Sequence, residues 1–167
     1  MAKKSRKVKL SSLIVVGEGP HDKAFINHLK DLYDNRNTGQ KVKVESADGG
    51  SPRDILKSAL KNRHADYDKK YVLMDSDVAV SQQDRDFARK NRIEIIQSTP
   101  WCLEGMLLDA LGVRVPDGNE ACKRKFHPML AGAPTDKNSY KTLFPKEVVD
   151  GSEKEQLVTL RELLSNT

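Results

Sequence analysis

The sequence predicts an α/β fold: a parallel sheet of about four strands with helices on both faces and a partly helical C-terminal extension. Three observations carry that class. Short apolar runs such as Leu13-Ile14-Val15-Val16 and Tyr71-Val72-Leu73-Met74 have the continuous hydrophobicity of strands buried on both faces. Between them lie stretches whose apolar residues recur at helical spacing. Turn residues separate the two kinds of stretch, and strand–helix alternation at that pace implies parallel strands joined by crossover helices.

In order, the first strand, Leu13 to Val16, runs into Gly17-Glu18-Gly19-Pro20. A helix follows, with Phe25, Ile26, Leu29, Leu32 and Tyr33 on one face, and Asn35 to Gly39 breaks it. Lys41 to Ser46 alternates, with Val42 and Val44 inward, and predicts the second strand. Asp48-Gly49-Gly50 is a turn. Ser51 then caps a helix that has Pro52 at its first position and buries Ile55, Leu56, Ala59 and Leu60. The third strand ends at Asp75-Ser76-Asp77. Ser81 and Asp84 form a capping box that opens a polar helix running to Asn91 near an edge of the sheet. Ile93, Ile95 and Ile96 make the fourth strand. Thr99-Pro100 is expected to start a helix bearing Trp101, Leu103, Met106, Leu107, Leu108, Ala110 and Leu111, stopped by Gly112. From Val113 onward the chain carries Pro116, Pro128, Pro134 and Pro145 and no clear strand. Helices are expected near 119–130 and 153–164, the second capped by Ser152 with Glu155 and burying Leu157, Leu160 and Leu164.

The 167 residues are enough to bury a real core. Lys and Arg number 29 against 24 Asp and Glu, for a formal charge of +5. That balance is compatible with a polyanionic partner without demanding one. Cys102 and Cys122 have no metal-ligand spacing and are too few for a disulfide scaffold, so they are expected to be reduced in a cytoplasmic protein. The basic N-terminus is followed only by the five-residue run Leu13 to Gly17, too short for a signal-peptide core or a membrane span. Lys3, Lys4, Arg6, Lys7 and Lys9 form a basic arm over residues 1–11, read either as a solvated tail or as a phosphate-touching segment. Lys23 joins the arm as a nucleic-acid-binding candidate.

The chemistry is expected at strand ends, where open α/β sheets place their ligands. A buried strand gains no stability by stopping at two carboxylates one residue apart, as the third does at Asp75 and Asp77. Paired hard oxygens are what Mg²⁺ or Mn²⁺ prefers. Glu18 ends the first strand in the same way, as a metal ligand or as a general acid or base. Asp22 is read equally as a metal ligand and as an N-terminal helix cap. Glu104 falls on a largely apolar helix stripe, where a carboxylate must be paired or metal-bound; alone it reads as a helix-terminus acid, and beside the others as a ligand. One or two such ions would neutralise a phosphodiester, ionise water and stabilise the leaving oxygen. A P-loop fails because the glycine before Lys23 is absent, and the third glycine of a dinucleotide fingerprint is missing. A phosphatase with an Asp nucleophile would put its Asp-x-Asp on the first strand, and here two strand–helix units precede it. His21, His28, His64 and His127 show no paired metal spacing, although His21 lies close to Glu18.

Val15-Val16-Gly17-Glu18-Gly19 followed by a later strand ending in Asp-x-Asp resembles the Toprim fold of topoisomerases, primases and small nucleases. The nearer likeness is to Toprim nucleases of the OLD type and to RloB-like proteins of restriction loci. Their Glu-Gly-x-x-Glu is matched by Glu18-Gly19-Pro20-His21-Asp22, with Asp in the last place. Gly50-Ser51-Pro52 also matches, and Ser98-Thr99-Pro100-Trp101-Cys102-Leu103-Glu104 matches their Ser-x-Pro-x-x-Glu with one extra residue. The resemblance implies a Toprim-like, Rossmann-like domain over 12–112 with the extension, 113–167, packed on it. It implies an Mg²⁺- or Mn²⁺-dependent nuclease acting on nucleic acid, DNA ahead of RNA, in anti-phage defence beside an ABC-type ATPase. Glu18, Asp75 and Asp77 would be catalytic, and Lys137 or Lys141 would supply the family's later lysine to offset transition-state charge. A homodimer fits this reading, and no membrane partner is expected. Three alternatives stay open: a non-catalytic Toprim binding or regulatory subunit, an RNA-processing Toprim nuclease, and a small-molecule phosphatase.

Overall fold

Four parallel strands form the centre of the molecule, in the order β2-β1-β3-β4. The structure is a computed structural model and describes residues 11–34 and 38–167; Lys3, Lys4, Arg6, Lys7 and Lys9 lie outside them. The strands are β1 (Ser11–Gly17), β2 (Gln40–Ser46), β3 (Lys69–Asp75) and β4 (Ile93–Ser98). Helices α1 (Pro20–Tyr33), α2 (Pro52–Ser58) and α3 (Gln82–Lys90) make the crossovers, and α4 (Leu103–Ala110) follows β4. The remainder supplies α5 (Asn119–Phe126), α6 (Lys146–Gly151) and α7 (Glu155–Ser165), with 3₁₀ turns at His127–Met129 and Lys137–Tyr140.

Period-two alternation sorts the side chains into two cores. Leu13, Val15 and Leu73 face α1, α4, α5 and α7, joined by Phe25, Met106, Phe126 and Leu160. Ile14, Val16, Val72 and Met74 face α2 and α3, joined by Ile55, Leu56 and Ala88. Leu13 to Val16 are wholly buried, each contributing roughly 1.5–3 kcal/mol of transfer free energy. β1 is therefore fixed in depth and register, with Val15 opposite both Val44 and Tyr71. β2 is an edge strand: Val42 and Val44 are covered, while Lys41 and Lys43 stay in water.

Several boundaries differ from the sequence expectation. The helix after β4 begins at Leu103, not at Thr99-Pro100: that peptide is cis, and Trp101 takes φ 68° and is exposed. The Trp101 carbonyl accepts the amides of Ser76 and Asp77 instead of starting a helical turn. Ser152 does not cap α7. Its Oγ accepts from the Lys154 amide, and the helix begins one residue later with no side-chain cap. The expected 119–130 helix is α5 plus a 3₁₀ turn, with Pro128 inside the turn. The Ser51 and Ser81 caps form as expected, each accepting from the amide three residues on.

Candidate functional site

The order β2-β1-β3-β4 reverses direction between β1 and β3, and at such a switch point the carboxyl ends of neighbouring strands open a crevice. A cleft of about 330 Å³ lies there, lined by Glu18, Gly19, Pro20, His21, Asp22, Asp48, Gly49, Asp75, Leu103, Glu104 and Lys123. Backbone bonds shape its floor. The Glu18 amide donates to the Leu73 carbonyl at 2.9 Å, and the Glu18 carbonyl accepts from Gly49 at 2.8 Å. Gly17 has to lack a side chain: a Cβ there would stand 2.6 Å from the Cβ of Asp22, so its absence lets the first turn of α1 close onto the end of β1.

Four of the five predicted acids reach this cleft. Glu18 Oε2 accepts the Asp75 amide at 2.8 Å, which ties the ends of β1 and β3 together through a side chain. The helix-cap reading of Asp22 is the one the structure shows. Its Oδ2 caps α1 by accepting from Gly19 at 3.0 Å, while its Oδ1 is buried without a hydrogen-bond partner. Burial, with the charges of Glu104 and Glu18 adding to it against the Gly19 hydrogen bond, pushes the Asp22 carboxyl up to about 7. Burial also pushes Asp75 up to about 8, reinforced by the charges of Asp22, Glu18, Asp77 and Glu104. Asp77 is the exception. It is exposed, its Oδ2 accepts from Asn119 Nδ2 at 2.7 Å, and it lines a neighbouring shallow groove with Trp101 and Arg124.

Glu104 is 3% exposed in the first turn of α4. Its Oε1 accepts from His127 Nε2 at 2.9 Å and from His21 Nδ1 at 3.2 Å. Burial alone would raise this carboxyl. The hydrogen bonds from His127, its own amide, His21 and Cys102 outweigh burial and hold it below the ordinary range. The Cys102 thiol is pushed up, by burial first, and stays a protonated donor. Both cysteines are free and buried. Among the described residues, none of Glu18, Asp22, Asp75, Asp77 and Glu104 forms an ion pair with Lys or Arg.

The predicted lysines lie elsewhere. Lys137 Nζ pairs with Asp31 Oδ2 at 2.8 Å and lines a separate groove that includes Lys23. Lys141 is exposed just after the same 3₁₀ segment, and its charge bears on His28. The cation that lines the cleft is Lys123 on α5, which sequence reasoning missed. It also missed His127. Neither carries a local signal, because only the packing of α5 against α4 brings them to the strand ends. The basic run Lys123-Arg124-Lys125 was the one available hint.

Comparison with protein-family models finds no match, and neither the curated proteins nor the solved structures yield one. Among the described residues, no helix is long and apolar enough to cross a membrane.

Proposed function

We propose that the chain is a divalent-metal-dependent phosphodiesterase acting on nucleic acid, of the Toprim kind that its Glu-Gly and Asp-x-Asp strand ends resemble. The observation that carries this reading is the convergence of Glu18, Asp22 and Asp75 in one cleft with no Lys or Arg paired to any of them among the described residues. Clustered acids with no Lys or Arg paired to them repel one another, and Asp22 and Asp75 are raised by burial first and by that repulsion after it. The all-oxygen donor set, with one Asp22 oxygen buried and unpartnered, fits a hard dication such as Mg²⁺ or Mn²⁺. Glu18, Asp22 and Asp75 would hold it, with Asp77 at the margin. When bound, such an ion supplies charge neutralisation at the phosphate and acidifies a water.

The chain's own groups account for the rest. Lys123 brings a positive charge to the same cleft, where it can meet a non-bridging phosphate oxygen. Arg124, beside Asp77 and Trp101 in the adjoining groove, extends the basic surface along a path that a phosphate backbone can follow. A defence role and an ATPase partner come with the Toprim resemblance and belong to this proposal alone.

The test is incubation of the purified chain with DNA and with RNA, each with Mg²⁺, Mn²⁺ or a chelator. Metal-dependent cleavage is expected, falling about 100-fold or more in Asp75→Asn and Glu18→Gln while the fold stays intact. Cleavage that survives the chelator, or that both variants retain, removes the proposal.

A further inference from the structure

Glu104 is the most deeply buried acid of the cleft, and its negative charge is met by two imidazoles from distant parts of the chain. His21 comes from the first turn of α1, and His127 from the 3₁₀ turn after α5. Their rings meet edge to face with centroids 5.0 Å apart. One ligand atom from each residue, Nδ1 or Nε2 of the histidines and a carboxylate oxygen, lies within 4.8 Å of the other two. A tetrahedral ion with bonds of about 2.0–2.1 Å needs ligand atoms about 3.3 Å apart. The two nitrogen–oxygen separations, 3.2 and 2.9 Å, already stand close to that spacing.

We propose that His21, Glu104 and His127 form a second metal site, which takes a Zn²⁺-like transition-metal dication in preference to Mg²⁺. The donor chemistry sets the choice. Imidazole nitrogen suits Zn²⁺ and its neighbours, whereas Mg²⁺ is held by oxygens and keeps its waters. The ion takes the place of the two N–H protons that now point at Glu104. Ligation uses the lone pairs of His21 Nδ1 and His127 Nε2, which places each ring's remaining proton on its other nitrogen, His21 Nε2 and His127 Nδ1. The site does not rest on the phosphodiesterase reading, since its ligands are distinct from Glu18 and Asp75 and its test reads binding.

The experiment uses the full chain, stripped by chelator and titrated with Co²⁺ as a visible probe. One Co²⁺ per chain is expected to develop the absorption bands of a four-coordinate nitrogen–oxygen site, any further Co²⁺ on the carboxylates leaving those bands unchanged, and the bands are lost to Zn²⁺ but not to equimolar Mg²⁺. His21→Gln and His127→Gln each weaken Co²⁺ binding by about tenfold or more, and Asp75→Asn keeps the bands. Circular dichroism of each variant separates lost ligation from lost fold, and His21, at the rim, is the substitution the fold tolerates best. Absence of the bands in the wild type, or equal Co²⁺ affinity in either folded histidine variant, overturns the proposal. Bands lost in Asp75→Asn but kept in both histidine variants assign the ion to the carboxylate group and overturn it equally. None of these outcomes depends on cleavage, so the two proposals stand or fall separately.

Discussion

Asp75 resists ionisation, and its stability effect has a definite sign. Its folded carboxyl is raised to about 8, by burial and then by the charges of Asp22, Glu18, Asp77 and Glu104. Between the ordinary carboxylate range and about 8 the folded chain therefore binds more protons than the unfolded one. Stability from this group is complete at acid pH and is lost as pH rises through that window. In metal-free protein the melting temperature is expected to fall from about pH 5 to about pH 8, more shallowly in Asp75→Asn, as differential scanning fluorimetry would record. Mg²⁺ should raise it more at the alkaline end, because the ion binds the ionised form. A flat profile in the wild type counts against the repulsion described for these acids. Glu18 and Asp75 were legible in the sequence because strands rarely end on acids without cause. Lys123 and His127 were not, since each is unremarkable among its neighbours and acquires a role only when α5 docks. Glu104 stands out in the sequence for its apolar surroundings, and its imidazole partners are hidden for the same reason as Lys123.

At the scale of elements, α4 is held against the strand ends by a missing side chain. A Cβ on Gly105 would stand 2.0 Å from the Pro100 carbonyl oxygen and 3.4 Å from Cys122 Sγ. The carbonyl is backbone and cannot rotate away, so Gly105→Ala has to push α4 off its seat or distort the turn before it. Overpacking of this kind costs roughly 1–3 kcal/mol, read as a lower urea midpoint. Because Cys122 sits on α5, the same variant is expected to loosen Lys123. An unchanged midpoint would show that the turn yields freely. Helix starts governed by a local serine cap, at Ser51 and Ser81, could be read from the sequence. The start of α4 could not, because Trp101 spends its carbonyl on the loop after β3, a tertiary contact with no signature in the local pattern.

For the whole molecule, the C-terminal third belongs to the same core as β1. Leu157, Leu160, Leu163 and Leu164 of α7 are buried in one cluster with Leu13, Val15 and Phe25. Gln40 Nε2 donates to the Leu163 carbonyl at 2.7 Å, and Gln156 Nε2 to the Gln97 carbonyl at 2.9 Å, so α7 is tied to both edge strands. Leu160→Ala is expected to cost about 2–5 kcal/mol. Unfolding should remain one transition when followed by circular dichroism and by the fluorescence of the single tryptophan, Trp101, in the groove beside the cleft. Separate midpoints for the two probes would mean that α7 melts on its own. The strand–helix alternation made the sheet legible, whereas the path of residues 113–167 across it was not, because prolines and charge clusters conceal where each short helix lands.

One carbonyl, that of Trp101, takes the amides of Ser76 and Asp77 at 3.1 and 3.2 Å. The loop that presents Asp77 and the turn that leads into Glu104 are thereby fastened at a common rivet. Anything that draws Asp77 inward from its groove would have to tug the entrance of α4 along with it.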